Sequence, residues 1–139
     1  MYSAGGISYP DGTVGDEYIE DVSMTKQLIR RHDRYVIAGE CRFADSFFSR
    51  MRGMIGRRFE TAGFDAMVFE NCNAIHCCWM LETIDVVFTT ADLKVVKICK
   101  NVKPWCFAWG GRDSNITVEL PGGRLSNCDI EVGDQLDFE

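Results

Sequence analysis

The chain has 139 residues, of which 46% are hydrophobic and 26% are charged, and its formal net charge is −6 at pH 7. This composition is that of an ordinary globular protein and the length favours one domain, which excludes disordered and fibrous classes. Because the charge is negative, the surface should repel phosphate backbones and anionic lipid, so we expect no nucleic-acid partner.

The sequence shows no targeting or membrane-spanning signal. No apolar run approaches the roughly 20 residues needed to cross a bilayer, and the first residues lack the basic and apolar regions of a secretory signal. The seven cysteines are an odd number, which favours free thiols in a reducing compartment. We therefore expect a cytoplasmic protein without a membrane span, and we assign it no cofactor.

The beginning of the chain divides into an arm and a hairpin. Residues 1–24 are rich in Gly, Ser and acidic residues and lack periodicity, which predicts a flexible N-terminal arm; docking of this arm on a partner is the alternative. Residues 25–139 are interpreted as one β-rich domain. Its first element is a predicted β-hairpin over residues 26–44, because two short apolar runs flank the polar corner at residues 30–34.

One short amphipathic helix is predicted near residues 45–57. Asp45 is a suitable N-cap, and the apolar residues that follow recur at helical spacing. At 100° per residue, Arg50 and Arg57 lie close together at the edge of this apolar face. Both guanidinium groups are therefore expected at the boundary between the core and solvent.

The rest of the chain consists of strand-like segments separated by turn signals. The predicted strands are residues 66–70, 75–80, 84–90, 95–99, 116–120 and 135–138. In the second of them, strict alternation places His76, Cys78 and Met80 on one side and Ile75, Cys77 and Trp79 on the other. The predicted fold is mainly β (α+β): a single compact domain of short, mostly antiparallel strands, with a small barrel as one form of it.

Several ordered motifs resemble the DUF-192 family, a largely bacterial and archaeal group of domains of unknown function. The matching stretches are RMRGMIGR at 50–57, Ile75-His76, IDVVF at 84–88, VKPW at 102–105, VELPGG at 118–123 and Gly133-Asp134. The resemblance extends from roughly residue 27 to the end. It implies a compact β-rich fold and a bacterial origin, and it implies no established reaction.

The first candidate site is a cluster of polar residues, namely Arg50, Arg57, His76, Asp85 and Glu119. Arginine suits carboxylate or phosphate, and histidine exchanges protons near neutral pH. Asp85 lies in an apolar strand and needs a partner if it is buried, for which arginine is the natural choice. The alternative is that these charges pair only to hold helix and sheet together.

Two other chemistries depend on cysteine. Cys72, His76, Cys77 and Cys78 include the right residue types for zinc, but adjacent strand residues point to opposite faces, so we assign no metal. Cys78 shares a predicted strand face with His76, which would suit a reactive nucleophile. Buried structural thiols are the alternative.

Three tryptophans, Trp79, Trp105 and Trp109, provide a further candidate. Aromatic side chains on a β surface can form a platform for a sugar or a peptide, and packing in the core is the alternative. Exposure of Trp105 or Trp109 beside the Gly110-Gly111 loop would favour binding. The exposure of these side chains in the structure therefore decides between a binding platform and packing in the core.

The leading functional hypothesis is a small noncatalytic binding or accessory domain. Its polar pocket would accept a small anionic ligand or a peptide, and the assigned residues are Arg50, Arg57, His76, Asp85, Glu119 and Trp105. The first alternative is a hydrolase-like enzyme in which His76 is the base and Asp85 orients it. The second is a structural domain whose charged cluster only holds the fold.

Overall fold

The computed structural model describes residues 26–44, 58–78 and 80–139. In these ranges the chain forms nine strands, a single-turn helix α1 (Phe59–Ala62) and a 3-10 helix (Arg124–Asn127). The strands are β1 (Lys26–Arg30), β2 (Val36–Phe43), β3 (Ala66–Glu70), β4 (Ala74–His76), β5 (Ile84–Thr89), β6 (Val95–Val102), β7 (Phe107–Trp109), β8 (Ile116–Pro121) and β9 (Leu136–Phe138). No helix in these ranges is long and apolar enough to cross a membrane.

Seven of these strands form one curled sheet in the order β6-β5-β8-β3-β2-β1-β9. Its neighbours pair in antiparallel fashion except β2 and β3, which are parallel. An isolated antiparallel bridge between Lys94 and Gln135 brings the two outer strands together at one end, so the sheet closes into a half-barrel. The predicted mainly β fold is confirmed, including its barrel-like form.

The curled sheet separates two hydrophobic cores, and β5 contributes to both. All six residues of β5 are buried. Val87 belongs to the first core, while Ile84, Val86 and Phe88 on the opposite face belong to the second. The first core is enclosed by the curl, since its residues come from β1, β2, β3, β5, β6, β8 and β9. The second core lies on the other face, under α1, β4 and β7.

Strands β4 and β7 form a separate two-stranded ribbon over the second core. Their antiparallel register pairs Ala74 with Trp109, Ile75 with Ala108 and His76 with Phe107. Ile75 and Ala108 are buried in the second core. Because strand residues alternate between faces, the neighbouring residues of the ribbon point away from the body of the domain.

The predicted strand over residues 75–80 is wrong beyond His76, where β4 ends. The N–H of Met80 instead points to the carbonyl of Cys77 at 3.5 Å, as the chain turns. Met80 is consequently buried although alternation placed it on the side of the exposed His76. The predicted arm at 1–24, the predicted helix at 45–57 with Arg50 and Arg57, and Trp79 lie outside the described residues.

The last residues are fastened to the first hairpin. Gln27 and Glu139 donate backbone hydrogen bonds to each other, at 2.7 and 2.9 Å. Arg31 holds Asp137 with two hydrogen bonds of 2.8 and 2.6 Å, and Arg34 pairs with Glu139. These contacts place the end of the chain beside the start of β1.

Candidate functional site

Asp85 has a structural task that occupies both of its carboxylate oxygens. Its side chain is fully buried, with Oδ1 accepting the N–H of Asn101 and Oδ2 accepting the N–H of Leu125, both at 2.8 Å. The carboxylate therefore joins β5 to the end of β6 and to the 3-10 helix. The prediction of an arginine partner did not foresee these two backbone donors, which meet the need of a buried carboxylate for hydrogen bonds.

Glu119 and Asp85 lie on opposite faces of the sheet. Glu119 in β8 is directly opposite Val86, whereas Asp85 is directly opposite Leu120. Val86 belongs to the second core and Leu120 to the first, so the two carboxyl groups are separated by the sheet itself. The structure therefore does not bring these two members of the predicted polar cluster together.

Glu119 is a buried acid without a described partner for one of its oxygens. The residue is 4% exposed, and Oε2 accepts no hydrogen bond from any described residue. Burial raises the pKa of Glu119 to about 8, because the charged form is poorly solvated there. The carboxyl is therefore mostly protonated at neutral pH. Burial raises the pKa of the nearby Cys77 thiol to about 11, and the ionised form of Glu119 contributes to this rise.

His76 is not joined to Asp85. His76 is exposed on β4, opposite Phe107, whereas Asp85 is fully buried in the main sheet. No hydrogen bond connects the two side chains among the described residues. The arrangement of base and orienter required by the hydrolase hypothesis is therefore not what this geometry provides.

The cysteines form no disulfide bond. All seven are free, and Cys77 is buried with a raised pKa, so its thiol is protonated at neutral pH. Cys78 does not share a strand with His76, because β4 ends at His76. In the described ranges no group of three His, Cys, Asp or Glu side chains is placed to hold a metal ion.

Three aromatic side chains are exposed on and beside the ribbon. Trp105, Phe107 and Trp109 are 61%, 69% and 50% exposed, respectively. Phe107 and Trp109 share the outer face of β7, and Ala108 between them packs inward. We call these three residues the aromatic surface. Large aromatic residues are usually mostly buried, so their joint exposure makes this surface a candidate recognition site.

The backbone at Trp105 is strained. The N–H of Cys106 donates to the carbonyl of Lys103 at 3.2 Å, which closes a four-residue turn with Pro104 in second and Trp105 in third position. Trp105 has φ +67°, the left-handed value that the third position of a type II turn requires. Glycine normally occupies this position, and a bulky side chain there is an outlier.

The same turn is locked to β4 by a bulge. The N–H of Trp105 donates to the carbonyl of Cys77, and the N–H of Cys77 donates to the carbonyl of Cys106, both at 2.8 Å. This pattern is that of a bulge whose first residue is left-handed, again a position where glycine is usual. Backbone strain held by surrounding structure is concentrated at functional sites in proteins. The left-handed conformation of Trp105, like its exposure, therefore favours a functional role for this residue.

The aromatic surface lies in a cationic part of an acidic chain. Residues 93–112 include five cationic residues and no acidic one, whereas the whole chain has a net charge of −6. The ammonium group of Lys97 donates to the carbonyl of Trp109 at 2.7 Å, and Lys103 is the first residue of the turn that presents Trp105. His76 lies opposite Phe107 across the ribbon. One ammonium group therefore lies beside Trp109, and a second lysine precedes Trp105 by two residues.

Of the predicted site residues, the structure brings His76 and Trp105 to one surface and places Asp85 and Glu119 in the interior. Sequence reasoning did not single out Phe107 or Lys97. The alternation of large, small and large residues in Phe107-Ala108-Trp109 is the signal that could have revealed an outer face.

Comparison with known proteins now identifies the family. The model of the DUF192 family, described as uncharacterized ACR, matches residues 28–138. The chain belongs to the DUF192 family. A UPF0127 protein of Thermococcus sibiricus is 33% identical over 119 residues, which cover 81% of this chain and 74% of that protein. A UPF0127 protein of Pyrococcus furiosus is 35% identical over 101 residues, which cover 71% of this chain and 86% of that protein.

Two solved structures share the fold of this DUF192 domain. A protein of unknown function from Novosphingobium aromaticivorans has a TM-score of 0.65 and 18% identity, over 81% of this chain and 83% of that one. A protein of Sinorhizobium meliloti, described as a candidate transcription regulator, has a TM-score of 0.67 and 19% identity, over 81% of this chain and 91% of that one. At these identities the likeness shows the fold alone. The curated relatives are archaeal, so the expected bacterial origin stays a prediction.

Proposed function

We propose that this DUF192 domain is a noncatalytic binding module that recognises an acidic, extended peptide segment of a partner protein through the aromatic surface. The observation that supports this proposal most directly is the joint exposure of Trp105, Phe107 and Trp109 on and beside one small ribbon. Aromatic side chains are the most frequent energetic anchors of protein interfaces.

The spacing of the rings favours a peptide over a small ion. Phe107 and Trp109 occupy alternate positions of a strand, so their side chains are about 7 Å apart along one face. Alternate side chains of an extended peptide have the same spacing, and each ring can contact one of them. A small anion would leave most of this apolar area uncovered.

The surrounding charge favours an acidic partner. The Lys97 ammonium group lies at the carbonyl of Trp109, Lys103 precedes Trp105 by two residues, and no acidic residue occurs between residues 93 and 112. Lysines at the edge of an apolar contact attract an acidic segment and discriminate against a basic one. Binding should therefore weaken as salt rises, because exposed charges are screened.

Fluorescence anisotropy with a labelled random copolymer of Glu and Tyr tests the proposal. Trp105→Ala and Phe107→Ala should each weaken binding by about tenfold or more, the loss typical of an interface anchor. Val132→Ala is the matched control, because Val132 is an apolar residue with similar exposure, 64%, in another part of the fold. A copolymer of Lys and Tyr should bind much less tightly.

Two results would count against the proposal. Equal affinity of the folded Trp105→Ala and Phe107→Ala variants for the acidic copolymer would show that the aromatic surface is not the binding site. Displacement of the copolymer by inorganic phosphate at equimolar charge would instead indicate a site for a small anion. Circular dichroism establishes that each variant is folded.

A further inference from the structure

The chain contains a segment with the properties of the proposed ligand. Residues 1–24, which precede β1, include five acidic residues and no basic one. Four of these acids, Asp16, Glu17, Glu20 and Asp21, flank the apolar pair Tyr18-Ile19. An acidic stretch around an aromatic and an aliphatic side chain is the chemistry that the aromatic surface and its lysines would recognise.

We propose that residues 16–21 dock on the aromatic surface of the same chain and mask it until an acidic segment of a partner displaces them. This inference rests on the proposed function, because both ligands use one surface. It adds a regulatory step: the domain would meet its partner in a self-occupied state.

The charges of the two regions are complementary. Residues 1–24 have a formal charge of −5, and residues 93–112 have a formal charge of +5. Opposite charges on a tethered segment bias its position toward the cationic surface, and the bias is largest at low salt. The rest of the chain, without these two regions, has a formal charge of −6.

The register of the sheet shows how the first residue of β1 is aligned with β5. Lys26, the first residue of β1, is opposite Cys41, and Cys41 is opposite Ala66. The next residue of β3, Met67, is opposite Glu119, which is opposite Val86 in β5. Lys26, where β1 begins, is therefore level with the middle of β5.

The segment is also long enough. Four strand spacings separate β1 from β5, which amounts to about 19 Å at about 4.8 Å per spacing. From Ile19 to Lys26 there are seven residues, which span about 24 Å when fully extended. The stretch from Ile19 to Lys26 is therefore long enough to cross the sheet from β1 to β5.

Tethering makes even a weak contact effective. A short flexible tether gives its ligand an effective concentration in the millimolar range. If the free segment bound with a dissociation constant near 0.1 mM, it would weaken the binding of a competing peptide by about tenfold. The expected signature is thus a change in affinity on removal of the segment, with an unchanged fold.

The experiment compares the full chain with a variant that lacks residues 1–24. The labelled copolymer of Glu and Tyr should bind the truncated variant about tenfold more tightly, as the tethering estimate predicts. Iodide should also quench its tryptophan emission more strongly, because Trp105 and Trp109 lose their cover. The variant with Asp16→Asn, Glu17→Gln, Glu20→Gln and Asp21→Asn should behave like the truncated chain. Asp11→Asn is the matched control and should behave like the full chain.

The outcomes separate this inference from the proposed function. Equal copolymer affinity of the full and truncated chains overturns the masking and leaves the proposed function intact. Absence of copolymer binding to both chains, with increased quenching after truncation, refutes the proposed function and supports the self-contact. A dimer that forms only when residues 1–24 are present shows exchange between two copies, which overturns docking within one chain.

Discussion

The strained turn at Trp105 predicts an unusual order of stability between two substitutions. At most positions in a strand or helix, glycine is about 0.5–1 kcal/mol less stable than alanine because it loses more backbone freedom on folding. At Trp105, with φ +67°, alanine retains the unfavourable left-handed conformation, which costs roughly 1–2 kcal/mol, and glycine does not. We therefore expect Trp105→Gly to be more stable than Trp105→Ala by about 1 kcal/mol.

This comparison is clean because both variants lose the same indole side chain and all of its contacts. Differential scanning calorimetry should find the glycine variant melting about 3–4 °C above the alanine variant, as expected for a domain of this size. Phe107, in regular strand conformation, supplies the control pair: there glycine should be less stable than alanine. If alanine is the more stable residue at both positions, the turn geometry inferred for Trp105 is wrong.

Three other substitutions test the interior. Asp85→Asn replaces one acceptor by an NH2 group facing a backbone N–H, so urea denaturation should show a loss of about 1–3 kcal/mol, and an unchanged midpoint would refute the role of its two hydrogen bonds. Burial raises the pKa of Glu119 from 4.5 to about 8. Between these pH values the folded state keeps the proton and the unfolded state loses it, so the free energy of unfolding falls as pH rises. In the Glu119→Gln variant the melting temperature should depend less on pH over that interval. A pH dependence equal to that of the unsubstituted protein would contradict the raised pKa of Glu119. A Cβ at Gly110 would approach the Phe88 ring to 2.5 Å, so Gly110→Ala should cost about 1–3 kcal/mol of unfolding free energy, whereas Gly39→Ala, whose Cβ has ordinary contacts, should cost little.

Periodicity predicted the main strands well because burial enforces it. In β5 the alternation of Ile84, Val86 and Phe88 with Asp85 and Val87 assigned each side chain to the correct face. The same reasoning failed after His76, where backbone hydrogen bonds of a turn and a bulge decide the path. Such bonds are made by groups that every residue has, so the side-chain pattern does not report them.

The predicted site failed in part for a related reason. Whether Asp85 and Glu119 share a face depends on the register between β5 and β8, which neither strand's own pattern contains. The donors to Asp85 are backbone amides 16 and 40 residues away, which have no residue-type signature. Trp105 was identifiable as a candidate, but its left-handed backbone was not, because glycine is the residue that normally signals it.

The mutual hydrogen bonds of Gln27 and Glu139 make the two ends of the folded domain interchangeable as attachment points. These residues lie one strand spacing apart, about 5 Å, and domains with adjacent termini tolerate circular permutation. Residues 1–24 transplanted behind Glu139 would start from nearly the same place with the opposite chain direction. Such a graft would preserve the charge and reach of the segment while reversing its sequence polarity relative to the ribbon.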